Sequence, residues 1–195
     1  MMELLPSECI GRCIKVRLDE HIARLIDGGT VIVTIKKGEI PIHMGQKVDS
    51  FYFVLFGLVR GYYIDERGNE VTKCFVHENG FFGSECYRKK GCSSFFVDCL
   101  EDCKCIKIPY ALVGKVTALD RNMERFVQEL YLEEVGKLED RSRELLLLSA
   151  EERYLFFCRE YPSLQKRVPL KYIASYIGIQ PGSMSRIRKK LKNQI

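Results

Sequence analysis

The stretch VPLKYIASYIGIQPGSMSRIRKKLK, from Val168 to Lys192, decides how the rest of the chain is read. Two short helices that meet near a right angle need a small residue where they touch, a residue that tolerates the turn, and apolar side chains at fixed offsets. Ala174 supplies the first and Gly178, four positions on, the second. Ile173, Ile177, Ile179, Met184 and Ile187 stand at the inward-facing offsets. Pro181 suits the first turn of the second helix, where a missing N–H costs nothing. The spacing predicts a helix-turn-helix. Lys171, Ser183, Ser185, Arg186, Arg188 and Lys189 are then the candidates for contact with DNA bases or phosphates.

An ordinary αα-hairpin would also place Ala and Gly at its crossing, so the charge around the motif carries weight. From Tyr161 onward there are eight basic residues and no Asp or Glu, which leaves 23 Lys and Arg against 26 Asp and Glu before it, a net of −3. A positive field confined to one end suits a module that meets a polyanion, because neutralising phosphates releases counterions.

Working back toward the N-terminus, Ser149-Ala150-Glu151-Glu152 has the form of a capping box opening a helix that runs to about Tyr161, where Pro162 ends it. Before it, Leu119, Met123, Phe126 and Leu130, then Tyr131, Val135, Leu138 and Leu145, repeat at spacings of three and four. That periodicity predicts one long amphipathic helix with Asp120 as its N-cap. A small domain cannot bury the whole stripe. Pairing with a second copy through Tyr131, Val135, Leu138 and Leu145 is therefore expected.

Between about Thr30 and Ile108 the chain alternates short β-branched and aromatic runs (VIVTI, FYFVLF, VRGYYI, VTKCFV, FFVDCL, KCIKI) with turns at Gly38, Gly45, Gly57, Gly68, Gly80 and Gly91. Such spacing predicts an all-β roll or barrel, with Glu66-Arg67-Gly68-Asn69 as a hairpin tip. No apolar run approaches the roughly 18 residues needed to span a bilayer, and MMELLPSECI lacks the pattern of a secretory signal. Nine cysteines, an odd number without an export signal, read as reduced thiols. A cytoplasmic protein is expected.

With these parts in order, the chain resembles the Crp/Fnr family of regulators, the cyclic-AMP-receptor and fumarate-nitrate-reductase type. The resemblance rests on residues 168–192, on LSAEERYLFFCREYP at 148–162, and on the Gly-spaced roll from IPIHMGQ through NGFFGSE at 40–85. It implies an α+β chain in three parts. A cyclic-nucleotide-binding-type β-roll would occupy 1–112, a dimerisation helix 113–148, and a winged helix-turn-helix 149–195. It further implies a homodimer on double-stranded DNA, reading two half-sites, with RNA polymerase and a small-molecule effector as further partners and no membrane.

The same resemblance marks departures. Cyclic-nucleotide binders of the family carry Gly-Glu for the ribose hydroxyl and Arg-Ser or Arg-Thr for the phosphate. At these candidate effector-pocket positions the chain has Gly83-Ser84 and Ser93-Ser94, with Glu85 one position further on. A phosphate without a cation partner loses charge-assisted bonds, so cyclic AMP is not the expected effector. The neighbouring run Arg88-Lys89-Lys90 could supply a substitute cation but reads as a solvated loop. Cys9 and Cys13 are too few and wrongly spaced for the family's iron–sulfur cluster, and Cys92, Cys99, Cys103 and Cys105 read as buried thiols. His21, His43 and His77 form no ligand pair, so no metal site is expected. Gly182 stands where many relatives have Glu, so the DNA sequence read need not be the family's usual one.

Two other functions are compatible with parts of the sequence. One is a ligand-binding or oligomerisation roll whose tail is merely basic. The other is a thiol enzyme, which lacks a recognisable Cys-His arrangement.

Overall fold

The computed structural model describes residues 4–15, 17–89 and 91–192, so Lys90 lies outside the described residues. The chain forms two compact units, one of residues 1–61 and 75–131, the other of residues 62–74 and 132–195.

In the first unit, helices α1 (Pro6–Ile14) and α2 (Glu20–Gly29) precede the strands. Strands β1 (Val31–Ile35), β2 (Ser50–Phe56), β5 (Phe81–Phe82) and β7 (Cys103–Pro109) form an antiparallel sheet in the order β1-β7-β2-β5. A second sheet has the order β4-β3-β6, with β3 at Val59–Ile64, β4 at Glu70–Val76 and β6 at Phe96–Cys99. The six runs singled out by β-branched and aromatic content all become strands. The two-residue β5 and helices α1, α2 and α3 (Ser84–Lys89) were not anticipated.

Strand β7, CKCIKIP, carries buried side chains on both of its faces. Successive side chains alternate between faces. Cys103 and Cys105 enter the roll interior with Val54, Val59, Phe82 and Val97. Ile106 and Ile108 point the other way, onto Ile10, Ile22, Ile26 and Val116. A strand covered on both faces loses strict apolar–polar alternation, and here only the half-buried Lys104 and Lys107 interrupt the apolar run. The helices that cover the outer face are therefore α1, α2 and α4 (Tyr110–Leu119), joined by Met123 of the helix that follows.

Asp120 ends α4 and opens α5 (Arg121–Leu147), its Oδ1 accepting from the N–H groups of Asn122 at 2.7 Å and Met123 at 3.2 Å. The expected long helix thus forms over 27 residues.

The second unit takes up the β3–β4 hairpin tip and everything from Leu132 on. The tip is where Glu66-Arg67-Gly68-Asn69 predicts it, with Gly68 at φ +82° and Asp65 Oδ1 accepting from the backbones of Arg67 and Asn69. Helices α6 (Ala150–Glu160), α7 (Leu164–Arg167), α8 (Leu170–Tyr176) and α9 (Pro181–Lys192) complete it. The capping box on α6 is formed, since Ser149 Oγ accepts from Glu152 N while Glu152 Oε2 accepts from Ser149 N. The unit's buried apolar residues from 149 on include Phe157, Leu164, Val168, Ile173, Ala174, Ile177 and Met184. Among the described residues from 149 on there is no strand, so the wing that the family resemblance implies is not found among them, whereas α8 and α9 stand where the helix-turn-helix is expected.

Candidate nucleic-acid interface

Helices α8 and α9 are joined by Ile177–Gln180, and the turn depends on one residue. Gly178 sits at φ +73°, a left-handed conformation that a Cβ disfavours. There its N–H donates to Ser175 O at 3.1 Å, and Ile179 N donates to Ala174 O at 3.0 Å, closing the end of α8. Ala174 is fully buried beside Ile173, and Ile177 and Met184 are equally buried, whereas Ile179 and Ile187 are half-buried. The inward offsets are thus of two grades.

Arg153, which sequence reasoning did not single out, spans the back of this turn. Its Nε donates to Ile177 O at 2.7 Å and its Nη1 to Leu148 O at 2.6 Å, so one guanidinium satisfies carbonyls at the ends of two helices. Arg141 stacks over the Tyr176 ring at 4.2 Å, and burial pushes the Tyr176 hydroxyl well above its ordinary range. Ser175 is the other residue missed. Its Oγ accepts from Thr72 N at 2.8 Å and donates to Glu70 O at 3.0 Å, pairing α8 with the open edge of β4. No local pattern signals a contact across 103 residues.

The predicted contact residues do not all share one face. Ser185, Arg186 and Lys189 are exposed and lie at helical spacing with Gly182, which is open on its Cα side. Arg186 Nη2 donates to Ser183 Oγ at 3.2 Å, which holds the guanidinium over the first turn of α9. Arg188 is exposed too, but its charge acts on Tyr154 and Cys158 of α6. Burial raises the pKa of both groups and Arg188 opposes the rise. Lys171 is exposed at the start of α8, its ammonium 4.7 Å from the Tyr172 ring. Lys190 pairs with Glu151 at 2.6 Å, so one tail cation is spent within the unit.

On α5, Val135, Leu138 and Leu145 are 50%, 60% and 46% exposed, with Tyr131 half-buried. Leu132, Leu146 and Leu147 are exposed further still.

In the roll, Gly83 has φ +92°, and a Cβ there would stand 2.7 Å from Ser50 O. Its carbonyl accepts from the Tyr110 hydroxyl. Ser84 begins α3. Ser93 is buried, its hydroxyl donating to Phe95 O at 2.8 Å. Ser94 is exposed and gives both its N–H and its hydroxyl to Glu85. A shallow concavity elsewhere on the roll is lined by Val33, Ile35, Glu39, Ile40, Pro41, Tyr52 and Lys107, none of them a predicted effector residue. Cys99, Cys103 and Cys105 are buried as expected, whereas Cys92 is exposed, and burial raises the Cys105 thiol to about 12. Among the described residues no group of three His, Cys, Asp or Glu side chains could hold a metal ion. No helix among them is long and apolar enough to cross a membrane.

Residues 32–118 match the cyclic nucleotide-binding domain family. No curated protein sequence matches the chain. FixK2 from Bradyrhizobium japonicum superposes with a TM-score of 0.77 at 19% identity, covering 85% of each chain. A protein assigned to the Crp/Fnr family of transcriptional regulators, from Eubacterium rectale, gives 0.73 at 16% identity over 91% of this chain and 85% of that one. The chain has the Crp/Fnr fold. The c-di-GMP-responsive global regulator CLP of Xanthomonas campestris gives 0.70 at 16% identity over 90% and 93%, so the Crp/Fnr likeness spans both compact units. Within that Crp/Fnr fold, the matched nucleotide-binding domain includes α4 almost to its end and excludes α5 through α9.

Proposed function

We propose that this chain is a homodimeric transcriptional regulator that binds duplex DNA through α8 and α9. The observation that carries the reading is the outer face of α9. Ser185, Arg186 and Lys189 project together from a helix locked by Gly178 and Ala174, in a stretch from residue 161 on that contains no carboxylate side chain. Arg186 is suited to grip guanine bidentately, and Lys171, Lys189 and Arg188 to neutralise phosphates. Ser183 orients Arg186 through the hydrogen bond described above.

The division of labour follows the three segments. Residues 1–112 sense, 113–148 pair two copies and 149–195 meet DNA. Pairing is supported by the exposed apolar row Val135, Leu138 and Leu145, whose burial against a second copy would remove it from water. Gly83, Ser84, Ser93 and Ser94 mark the effector pocket, and RNA polymerase is the further partner of a regulator with this fold.

The test is fluorescence anisotropy of the full chain on a duplex pool enriched by repeated selection from random sequence. Affinity should fall steeply with salt, with a log–log slope of about −0.9 per neutralised phosphate. Arg186→Ala should weaken the selected site by about 1–3 kcal/mol per half-site and flatten preference at one base position, whereas Lys189→Ala should weaken all sequences alike. Binding insensitive to both salt and Arg186 would leave only a roll with a basic tail.

A further inference from the structure

The roll holds an anion of its own. Ser94 stands on the chain between the buried residues Ser93 and Phe95, and both of its donors converge on one carboxylate. Its backbone N–H reaches Glu85 Oε2 at 2.9 Å and its hydroxyl reaches Glu85 Oε1 at 2.6 Å. One carboxylate oxygen per donor is the geometry in which a Ser residue grips any oxyanion, phosphate included. Both sides are fixed before they meet. Ser93 is anchored by its N–H to Gln46 O at 2.9 Å and by Gly45 N donating to its carbonyl at 2.8 Å. Glu85 is followed by buried Cys86 and stands two positions after Gly83, whose left-handed backbone lies against Ser50 O.

This donor pair lies within the segment that matches a domain family named for binding a cyclic phosphodiester. Its occupant here is a side chain of the same polypeptide, nine residues away. An intramolecular carboxylate needs no translational entropy to bind, and its charge repels an incoming phosphate.

We propose that Glu85 is an internal oxyanion that fills and closes a phosphate-binding donor pair at Ser94, so that the roll is self-liganded. The roll then holds its cassette without a phosphate effector. Phosphate, free or as an ester, binds only when the Glu85 carboxylate is removed. The inference concerns the roll alone and goes beyond DNA binding. Its test involves no DNA, so either reading can fail without the other.

The experiment compares wild type, Glu85→Ala and Glu85→Ala/Ser94→Ala as full chains, titrated with inorganic phosphate and with cyclic AMP at constant ionic strength. Thermal midpoints and the amide resonance of residue 94 are followed. The general salting effect of phosphate is common to all three and cancels in the comparison. Glu85→Ala should melt below wild type, bind phosphate at least about tenfold more tightly, and recover part of its midpoint as phosphate is added. The double variant should show neither gain. If Glu85→Ala does not fold, Glu85→Gln takes its place, since it keeps an acceptor for Ser94 and loses only the charge. It too should bind phosphate more tightly than wild type. Tighter binding of cyclic AMP than of inorganic phosphate would identify the ester as the ligand, and equal binding would identify free phosphate. Wild type binding phosphate as tightly as Glu85→Ala, or a double variant that binds as Glu85→Ala does, overturns the proposal. So does a Glu85→Ala protein, or the Glu85→Gln protein in its place, with no gain over wild type.

Discussion

Two glycines four residues apart should respond to alanine with opposite signs. Gly178 is at φ +73°, and a Cβ built there would lie 3.4 Å from Leu145 Cδ2, an ordinary van der Waals distance. The cost of Gly178→Ala is therefore one of backbone conformation. A left-handed L-residue costs about 1–2 kcal/mol, partly offset by about 0.4–1 kcal/mol from a stiffer unfolded chain. The net is a loss of about 1 kcal/mol. Gly182 has no positive φ, sits in the first turn of α9, and would place its Cβ in open space. Gly182→Ala should gain up to about 1 kcal/mol from helix propensity. The two variants should then be about 2 kcal/mol apart. With a urea m-value of about 2 kcal/mol/M, their unfolding midpoints by far-UV circular dichroism should differ by about 1 M, on either side of wild type. A Gly178→Ala midpoint at or above that of wild type would refute the left-handed turn, and with it the geometry that aims α9.

Ser175→Ala should leave the buried Thr72 N–H without its acceptor, costing about 1–3 kcal/mol and speeding hydrogen exchange at Thr72 while residues such as Cys105 keep their protection. Leu138→Glu, at a position 60% exposed in one chain, should convert a dimer to a 22.6 kDa monomer by light scattering, without loss of helical circular dichroism. Hydrogen bonds from Ser149 hold the Glu152 carboxyl below the ordinary carboxylate range, so its folded pKa is depressed. Its capping contribution is present at neutral pH and is lost as acidification protonates it below that range. Between about pH 6 and pH 2 the stability advantage of wild type over Glu152→Gln should shrink, and an advantage that grows instead would contradict the cap.

The unanticipated parts share a physical character. Helices α1 and α2 are short and lie before the β-rich segment, and their purpose becomes visible only once Ile106 and Ile108 need a cover on the outer face of β7. The two residues of β5 are strand only because β2 offers them an edge through Tyr52 and Phe53. The wing implied by resemblance requires strands that the described residues from 149 on do not form. Among the contact candidates, exposure was legible from residue type. The turning of Arg188 toward α6 depends on where Tyr154 and Cys158 sit, which periodicity along α9 does not encode.

Sequence by itself determined whatever depends on neighbours a few residues apart. Ala174 and Gly178 specify the crossing of α8 and α9, Ser149 and Glu152 cap α6, Gly68 turns the β3–β4 hairpin, and the three-four spacing after Asp120 makes α5. Each is a local conformational or hydrogen-bonding preference, so it leaves a local pattern. Tertiary structure alone decided the contacts that bring distant residues together. Arg153 closes the α8–α9 turn from 24 residues away, Ser175 borrows the edge of β4 across 103, and Glu85 takes both donors of Ser94. These pairings depend on how sheets and helices pack, because their partners stand too far apart along the chain for a turn or a helix cap to join them. The residues proposed here to contact DNA could thus be nominated from the sequence, but the carboxylate that takes both donors of Ser94 could not.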